Sequence, residues 1–410
     1  MQETPRANRL HIAVFGQRNA GKSSLINTLT NQQVALVSEV PGTTTDPVYK
    51  NMELKPLGPV VFIDTAGLDD QGQLGELRKK KTGQVLQKTD MALLVIAADH
   101  EVSSADLKLI NKFKEKDITY LVVLNKVDQT NQVDQLKEKI TKQTGTQPLT
   151  VSTSQNTGIE KLRDEITNQA PAGFEKATIL GDLIKPEDVI ILVVPLDTGA
   201  PKGRIILPQV QTIRDILDHH GITLISRETE LTTTLKKLKL KPKLVVTDSQ
   251  VFKQVSEIIP RDIMLTSFSV LFARYKGDLT IYLQGIKALQ NLNSTSKVLI
   301  AEACTHRRQK DDIGTVKLPH WIKEKYGTNI KFDQVSGGEY PDNLQYYDLI
   351  LHCGGCMLNR REIINRLQTA VNSEVPVVNY GMAIAALHDI LDRALQPFTE
   401  ITDFENIEVS

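Results

Sequence analysis

The sequence predicts an α/β protein in three parts with mainly parallel sheets, the first part built around a phosphate-binding loop. Three observations carry this. A short apolar strand, His-Ile-Ala-Val-Phe at 11–15, runs directly into Gly-Gln-Arg-Asn-Ala-Gly-Lys-Ser-Ser and then into a helical pattern. Beyond residue 178, apolar strands alternate with helix-length stretches, the pattern of parallel sheets with helical crossovers. All 3 cysteines of the 410 residues fall in two short segments that each carry a histidine, Cys304-Thr-His306 and His352-Cys353-Gly-Gly-Cys356.

Composition bounds the rest. A chain of 410 residues exceeds one ordinary core, and its length suggests about two to four domains. The 49 basic residues are balanced by 49 acidic ones, so no bulk charge favours nucleic acid or a membrane surface as partner. The basic runs at 78–81 and 236–243 are expected as solvated faces. The first sixteen residues hold no apolar signal core, and no run approaches the roughly 18 apolar residues of a membrane span. Three cysteines without a secretory signal point to a reducing cytoplasm.

Gly16 to Ser23 is a GxxxxGKS loop between strand and helix. Gly16 and Gly21 let the backbone curl so that successive N–H groups face phosphates. The Lys22 ammonium can reach the β and γ oxygens, and the Ser23 hydroxyl, with Ser24 beside it, can coordinate Mg²⁺. Downstream, 41–47 is turn-rich where a switch loop is expected, and the strand at 60–64 ends in Asp64-Thr-Ala-Gly67. Asp64 suits a water-mediated Mg²⁺ contact, and the Gly67 N–H can face the γ-phosphate. Strands at 91–99 and 118–128 follow, the second ending in Asn125-Lys126-Val-Asp128. Asp128 can accept from the N1–H and exocyclic amine of guanine, Lys126 can lie along the base, and Asn125 can brace the loop. Adenine lacks that donor pair, so the nucleotide is GTP. The loop from Ser152 through Thr153 to Ser154 can touch the guanine carbonyl.

Residues 9–170 resemble the translation-factor-related GTPases, within them the group typified by the tRNA-modification and ribosome-assembly GTPases. The resemblance implies a P-loop GTPase domain, placed at 1–172, in which Asn19 helps hold K⁺ and Thr44 completes the Mg²⁺ site. Lys22, Thr44 and Gly67 are then the groups that act on the reacting phosphate. Leu68 stands where many signalling GTPases carry a catalytic glutamine, and an apolar side chain cannot orient water. Glu76 is a replacement by position only.

A break at Pro171 and Gly173 ends this domain. Strands at 188–197, 222–227 and 243–248, with helices between them, predict a three-stranded parallel unit at 178–260. It carries no visible chemistry, which suits an association domain. The last unit, 262–410, is expected to begin with helices at 264–275 and 279–292. Strands at 297–304, 329–333, 348–353 and 375–379 follow, with helices at 360–371 and 382–395. Cys304 and His352-Cys353 both end apolar strands, the edge of a parallel sheet where ligands bind, so the two segments can meet. Period two places Glu302, Cys304 and His306 on one face if the strand persists. Thiolates and imidazoles at this spacing form a ligand set for zinc or an iron–sulfur cluster. Buried thiols filling gaps, a redox dithiol, and histidines held by structural hydrogen bonds are the other uses of such residues.

The three parts in order resemble the HydF family, the GTPase maturation factors of the (FeFe) hydrogenases, marked by CxH and HCxxC. The resemblance implies a cytoplasmic homodimer joined through the middle unit, with GTP, Mg²⁺ and K⁺ as cofactors. It implies a 4Fe-4S cluster on Cys304, Cys353 and Cys356, serving as a scaffold that receives the two-iron subcluster from two radical-SAM maturases and passes it to the (FeFe) hydrogenase apoprotein. Three thiolates leave one iron for His306, His352, Glu302 or an exogenous ligand, unless a histidine orients a thiolate from behind. Two other classes remain beside this one: a GTP-switched zinc protein in RNA modification or ribosome assembly, and a redox enzyme whose cluster donates electrons.

Overall fold

The computed structural model describes residues 5–30, 47–65, 81–171, 178–195, 205–303, 312–337, 340–341 and 343–398. They fall into two compact units, 1–176 and 177–410. Among the described residues no helix is long and apolar enough to cross a membrane.

The first unit is a six-stranded sheet: β1 Leu10–Gly16, β2 Val48–Leu54, β3 Gly58–Asp64, β4 Met91–Ala97, β5 Thr119–Asn125 and β6 Leu149–Thr150, in the order β2-β3-β1-β4-β5-β6. Strands β1 and β4 are buried along their whole length, as central parallel strands covered on both faces must be. Side chains of β1 alternate between two cores. Leu10, Ile12 and Val14 join Leu25, Ile26 and Leu162 on one face, whereas Ala13 and Phe15 join Ile110, Phe113 and Ile140 on the other. The helix Ser104–Glu115 starts at a reciprocal cap, where the Ser103 hydroxyl accepts from the Asp106 amide and the Asp106 carboxylate accepts from the Ser103 amide. Strand β2 runs antiparallel to β3 on the sheet's edge and was not expected from the sequence. Its Val-Tyr-Lys-Asn-Met-Glu-Leu run is polar because, among the described residues, only one of its two edges is paired and most of its side chains stay partly exposed.

The second unit holds two parallel four-stranded sheets over one continuous core. One has the order β10-β9-β7-β8, from β7 Val189–Val193, β8 Ile222–Ser226, β9 Leu244–Thr247 and β10 Met264–Ser267. The other has the order β12-β11-β13-β14, from β11 Lys297–Glu302, β12 Lys331–Ser336, β13 Leu349–His352 and β14 Val377–Asn379.

Two expectations are corrected here. The first sheet has four strands, because Met264–Ser267, expected as the start of a helix, pairs with β9 beyond the anticipated end of that unit at 260. Ser267 separates strand from helix: its hydroxyl accepts from the Val270 amide at 3.2 Å and caps the helix Phe268–Lys276. The helix expected at 382–395 is two pieces, Tyr380–Leu387 and Leu391–Leu395, separated where Asp389 takes a left-handed φ of 57°.

Candidate functional site

Two sites stand at the carboxyl ends of parallel strands, one in each unit. In the first unit the loop after β1 closes around Lys22, a buried side chain whose ammonium donates to the carbonyls of Gly16 at 3.0 Å and Gln17 at 2.7 Å. The lysine thus spans the loop that would receive phosphates. Ser23 and Asp64 meet beside it: the Ser23 hydroxyl donates to the Asp64 carboxylate at 2.6 Å, which brings hard oxygen donors together at the end of the loop. Burial pushes the Asp64 carboxyl above its ordinary value, opposed by the Ser23 hydroxyl and the charges of Lys22 and Lys50. Ser24 lies exposed on the first turn of the helix Lys22–Thr30, and Asn19 holds a left-handed φ of 59° within the loop.

The base side is tied to the phosphate side through Asn125. This fully buried side chain donates from Nδ2 to the Ala20 carbonyl at 3.0 Å and accepts from the Thr153 amide at 3.4 Å. Gly21 is required by the same contact. A Cβ there would stand 2.2 Å from Asn125 Nδ2, and its φ of 90° already excludes most side chains. Lys126 adopts a left-handed φ of 62° and donates to Asp99 at 3.2 Å. The Asp128 carboxylate accepts from the hydroxyls of Ser152 at 2.5 Å and Ser154 at 3.0 Å. The Ser152 hydroxyl leads the interactions that hold its carboxyl below the ordinary value. Asn125, Lys126, Asp128, Ser152 and Thr153 therefore share one rim, whereas Thr44, Gly67, Leu68 and Glu76 lie outside the described residues.

In the second unit the edge at the ends of β11 and β13 gathers the cysteine chemistry. The Cys353 amide donates to the Ala301 carbonyl at 3.0 Å, and the Ala303 amide donates to Cys353 Sγ at 3.1 Å. The residue before Cys304 thus touches the sulfur of Cys353, although Cys304 and His306 themselves lie outside the described residues. Cys353 is half-buried and Cys356 exposed. Burial pushes the Cys353 thiol up, with the Ala303 and Gly355 amides pulling the other way. Gly355 makes the turn between the cysteines at a φ of 57°. Among the described residues no three His, Cys, Asp or Glu side chains converge. Soft sulfur donors with amides directed at one of them fit a thiolate-bound metal centre.

His352 is completely buried, and both of its ring nitrogens are engaged. Nδ1 lies 2.6 Å from the Cys353 carbonyl, and Arg366 Nε lies 2.8 Å from Nε2. A guanidinium can only donate, so Nε2 accepts and Nδ1 carries the proton. Burial, reinforced by the Arg366 charge, pushes the imidazole down to about 3, so the ring is neutral. In this arrangement His352 holds the loop from behind. Glu302 is also buried, and its carboxylate accepts from Gln334 Nε2 at 2.9 Å.

Two residues that the sequence did not single out complete the site. Arg366, in the helix Arg360–Asn372, also donates to the Gly337 carbonyl at 3.1 Å and stacks over Tyr340. Lys276 donates to three carbonyls of the cysteine loop. Neither belongs to a local motif, and both sit in ordinary helical patterns.

Known proteins match this organisation. Residues 11–126 fit the family model for 50S ribosome-binding GTPases, residues 179–277 that for the hydrogen maturase F dimerization domain, and residues 280–397 that for the hydrogen maturase F tetramerization domain. The tRNA modification GTPase MnmE of Aquifex aeolicus is 32% identical over 180 residues, covering 44% of this chain and 38% of that protein. MnmE of Lactobacillus helveticus is 36% identical over 176 residues, covering 42% and 36%. The chain thus spans less than two fifths of the length of these curated relatives. Among solved structures, Aquifex aeolicus Era bound to GDP and aluminium fluoride aligns at 21% identity with a TM-score of 0.36, covering 53% of this chain and 92% of that one. The G domain of the Thermotoga maritima FeoB iron transporter aligns at 22% identity and 0.31, covering 40% and 99%. The first unit is a P-loop GTPase domain, and the two segments behind it are oligomerisation domains of one maturase type. With a GTPase domain followed in order by both of those segments, the chain belongs to the hydrogen maturase F family of hydrogenase-maturation GTPases.

Proposed function

We propose that this GTPase binds a 4Fe-4S cluster through Cys304, Cys353 and Cys356 and serves as the scaffold on which the two-iron subcluster of (FeFe) hydrogenase is assembled and from which it is transferred. The observation that carries this is the Ala303 amide on Cys353 Sγ at 3.1 Å. It brings the start of the Cys304 segment to the Cys353 loop at one sheet edge, with Cys356 exposed to an incoming partner. A bound cluster supplies a thiolate-held iron centre with one iron open to exchangeable ligation. The chain's own part is to hold the loop. His352 bonds the Cys353 carbonyl, and Glu302, bonded to Gln334, His306 and an exogenous ligand are the remaining candidates for the fourth iron. The radical-SAM maturases and the hydrogenase apoprotein are the partners this function requires.

In the GTPase domain, Lys22 and the Gly67 amide are assigned to the phosphates and Ser23 with Thr44 to Mg²⁺. Asn19 is assigned to K⁺, and Asp128 with Asn125, Lys126, Ser152 and Thr153 to guanine. Turnover should be faster in K⁺ than in Na⁺, and equal rates would remove the Asn19 assignment. Homodimerisation is assigned to the unit that contains β8, an edge strand with Ile222 and Ile225 exposed.

The test is anaerobic reconstitution followed by iron, sulfide and zinc analysis of the full chain and of Cys304→Ser, Cys353→Ser and Cys356→Ser. Four irons per chain in the parent and large losses in every variant are expected. Stoichiometric zinc in place of iron would refute the proposal.

A further inference from the structure

The Cys353–Cys356 loop is backed by two buried cations. Lys276 ends the helix Phe268–Lys276 and is 2% exposed. Its ammonium donates to the carbonyls of Leu358 at 2.8 Å, Cys356 at 3.2 Å and Gly355 at 3.3 Å. Those three neutral acceptors use all three donors. Arg366, 4% exposed, donates to His352 and to the Gly337 carbonyl, and its Nη2 meets no acceptor among the described residues. Among the described residues neither cation has a carboxylate within salt-bridge distance. The buried carboxylate at this edge, Glu302, is bonded to Gln334.

A buried charge that meets only neutral dipoles is costly, because carbonyls replace the hydration of an ammonium incompletely. A metal centre held by Cys353 and Cys356 as thiolates would place negative charge next to the carbonyls that Lys276 gathers. The contact spans 79 to 82 residues of sequence. It joins the last turn of the segment matching the dimerization model to the cysteine loop of the segment matching the tetramerization model.

We propose that Lys276 is a positioning and counter-charge residue for the cysteine loop. It shapes the loop through its carbonyls and stabilises an anionic, thiolate-bound metal centre on Cys353 and Cys356. The metal-centre part rests on the cluster-binding function proposed above. Adding an electron to such a centre increases its negative charge, so a cation close by favours the reduced form and raises the potential.

The test compares the full-length protein with Lys276→Gln, which keeps an amide donor without the charge, and Lys276→Met, which removes both. After anaerobic reconstitution with iron and sulfide, a redox titration followed by electron paramagnetic resonance should show a more negative midpoint in both variants. Iron occupancy in Lys276→Met should fall by half or more. A second arm needs no metal: in the metal-free proteins, iodoacetamide should alkylate Cys356 several-fold more slowly in Lys276→Gln than in the parent. Midpoints and alkylation rates equal to those of the parent would overturn the proposal and leave Lys276 as a space-filling strut. If the parent itself takes up no iron, the cluster function fails, and the alkylation arm alone decides the role of the charge. Should Lys276→Met fail to fold, Lys276→Gln decides both arms.

Discussion

Arg366 donates its Nε to Nε2 of His352 across 2.8 Å, inside the second unit and away from water. Because the other ring nitrogen is bonded to the Cys353 carbonyl, one guanidinium fixes the tautomer, the ring plane and the first peptide of the cysteine turn. Arg366→Met would leave His352 Nε2 and the Gly337 carbonyl without their donor. The expected loss is about 1–3 kcal/mol of unfolding free energy for a buried group left unpaired. Urea unfolding of the metal-free protein checks it, and an unchanged midpoint and slope would contradict it.

Asp128 presents two acceptor oxygens aligned by Ser152 and Ser154. Asp128→Asn replaces one acceptor by a donor, so guanine loses a matched pair and xanthine gains one. GTP affinity should fall by a factor of about 100 or more while binding of xanthosine triphosphate rises. Calorimetry with both nucleotides decides this, and undiminished GTP binding would sink the assignment.

The Asp182–Arg274 pair gives a pH dependence. Burial raises the Asp182 carboxyl, but the Arg274 guanidinium and the Thr178 hydroxyl overcome it and hold the folded-state value below the ordinary one. A carboxyl with a depressed folded value binds fewer protons folded than unfolded. Its stabilisation is therefore present above about pH 4 and is lost as the pH falls through the folded value. Both side chains are partly exposed, so the effect should stay under ~1 kcal/mol. Stability curves of the parent and Asp182→Asn should converge below pH 4. Curves that run parallel down to pH 2 would exclude the pair as the cause.

Among the described residues strand β8 has one unpaired backbone edge and exposes Ile222 and Ile225, while Val210 and Leu217 are exposed on the helix Leu207–Asp218. Ile225→Asp would put a charge on that edge, the device that blocks strand addition. Sedimentation velocity should show a monomer for Ile225→Asp at concentrations where the parent is a dimer. A dimer of undiminished affinity would place the interface elsewhere.

What the sequence made legible was contiguous. Strand β1 with Gly16 to Ser23, and β5 with Asn125 to Asp128, are written as unbroken runs, because a strand end and the loop leaving it are neighbours in the chain. The Cys353–Cys356 turn is local in the same way. Strand β10 was hidden because Met-Leu-Thr-Ser-Phe-Ser-Val-Leu-Phe holds no glycine, proline or charge to mark a boundary, and the Ser267 cap alone marks where period two gives way to period 3.6. Lys276 and Arg366 were illegible for another reason. A helical pattern says that a residue is on a helix, not which loop its far end will meet 14 or 80 residues away.

The shared core of the second unit has a consequence for how such a chain can be inherited. Phe268 and Leu271 precede the junction between its two family segments, Leu283 and Val377 follow it, and all four lie in one apolar cluster. Across the junction, the helix Tyr380–Leu387 approaches the helix Phe268–Lys276 so closely that a Cβ on Gly381 would stand 2.0 Å from the Ser269 Cβ. Recombination at that junction would separate residues that have to interlock, and most chimeras would present mismatched halves. Exchange between lineages is therefore expected to move residues 177–410 as one block, with viable crossovers near 176, where one compact unit ends and the next begins.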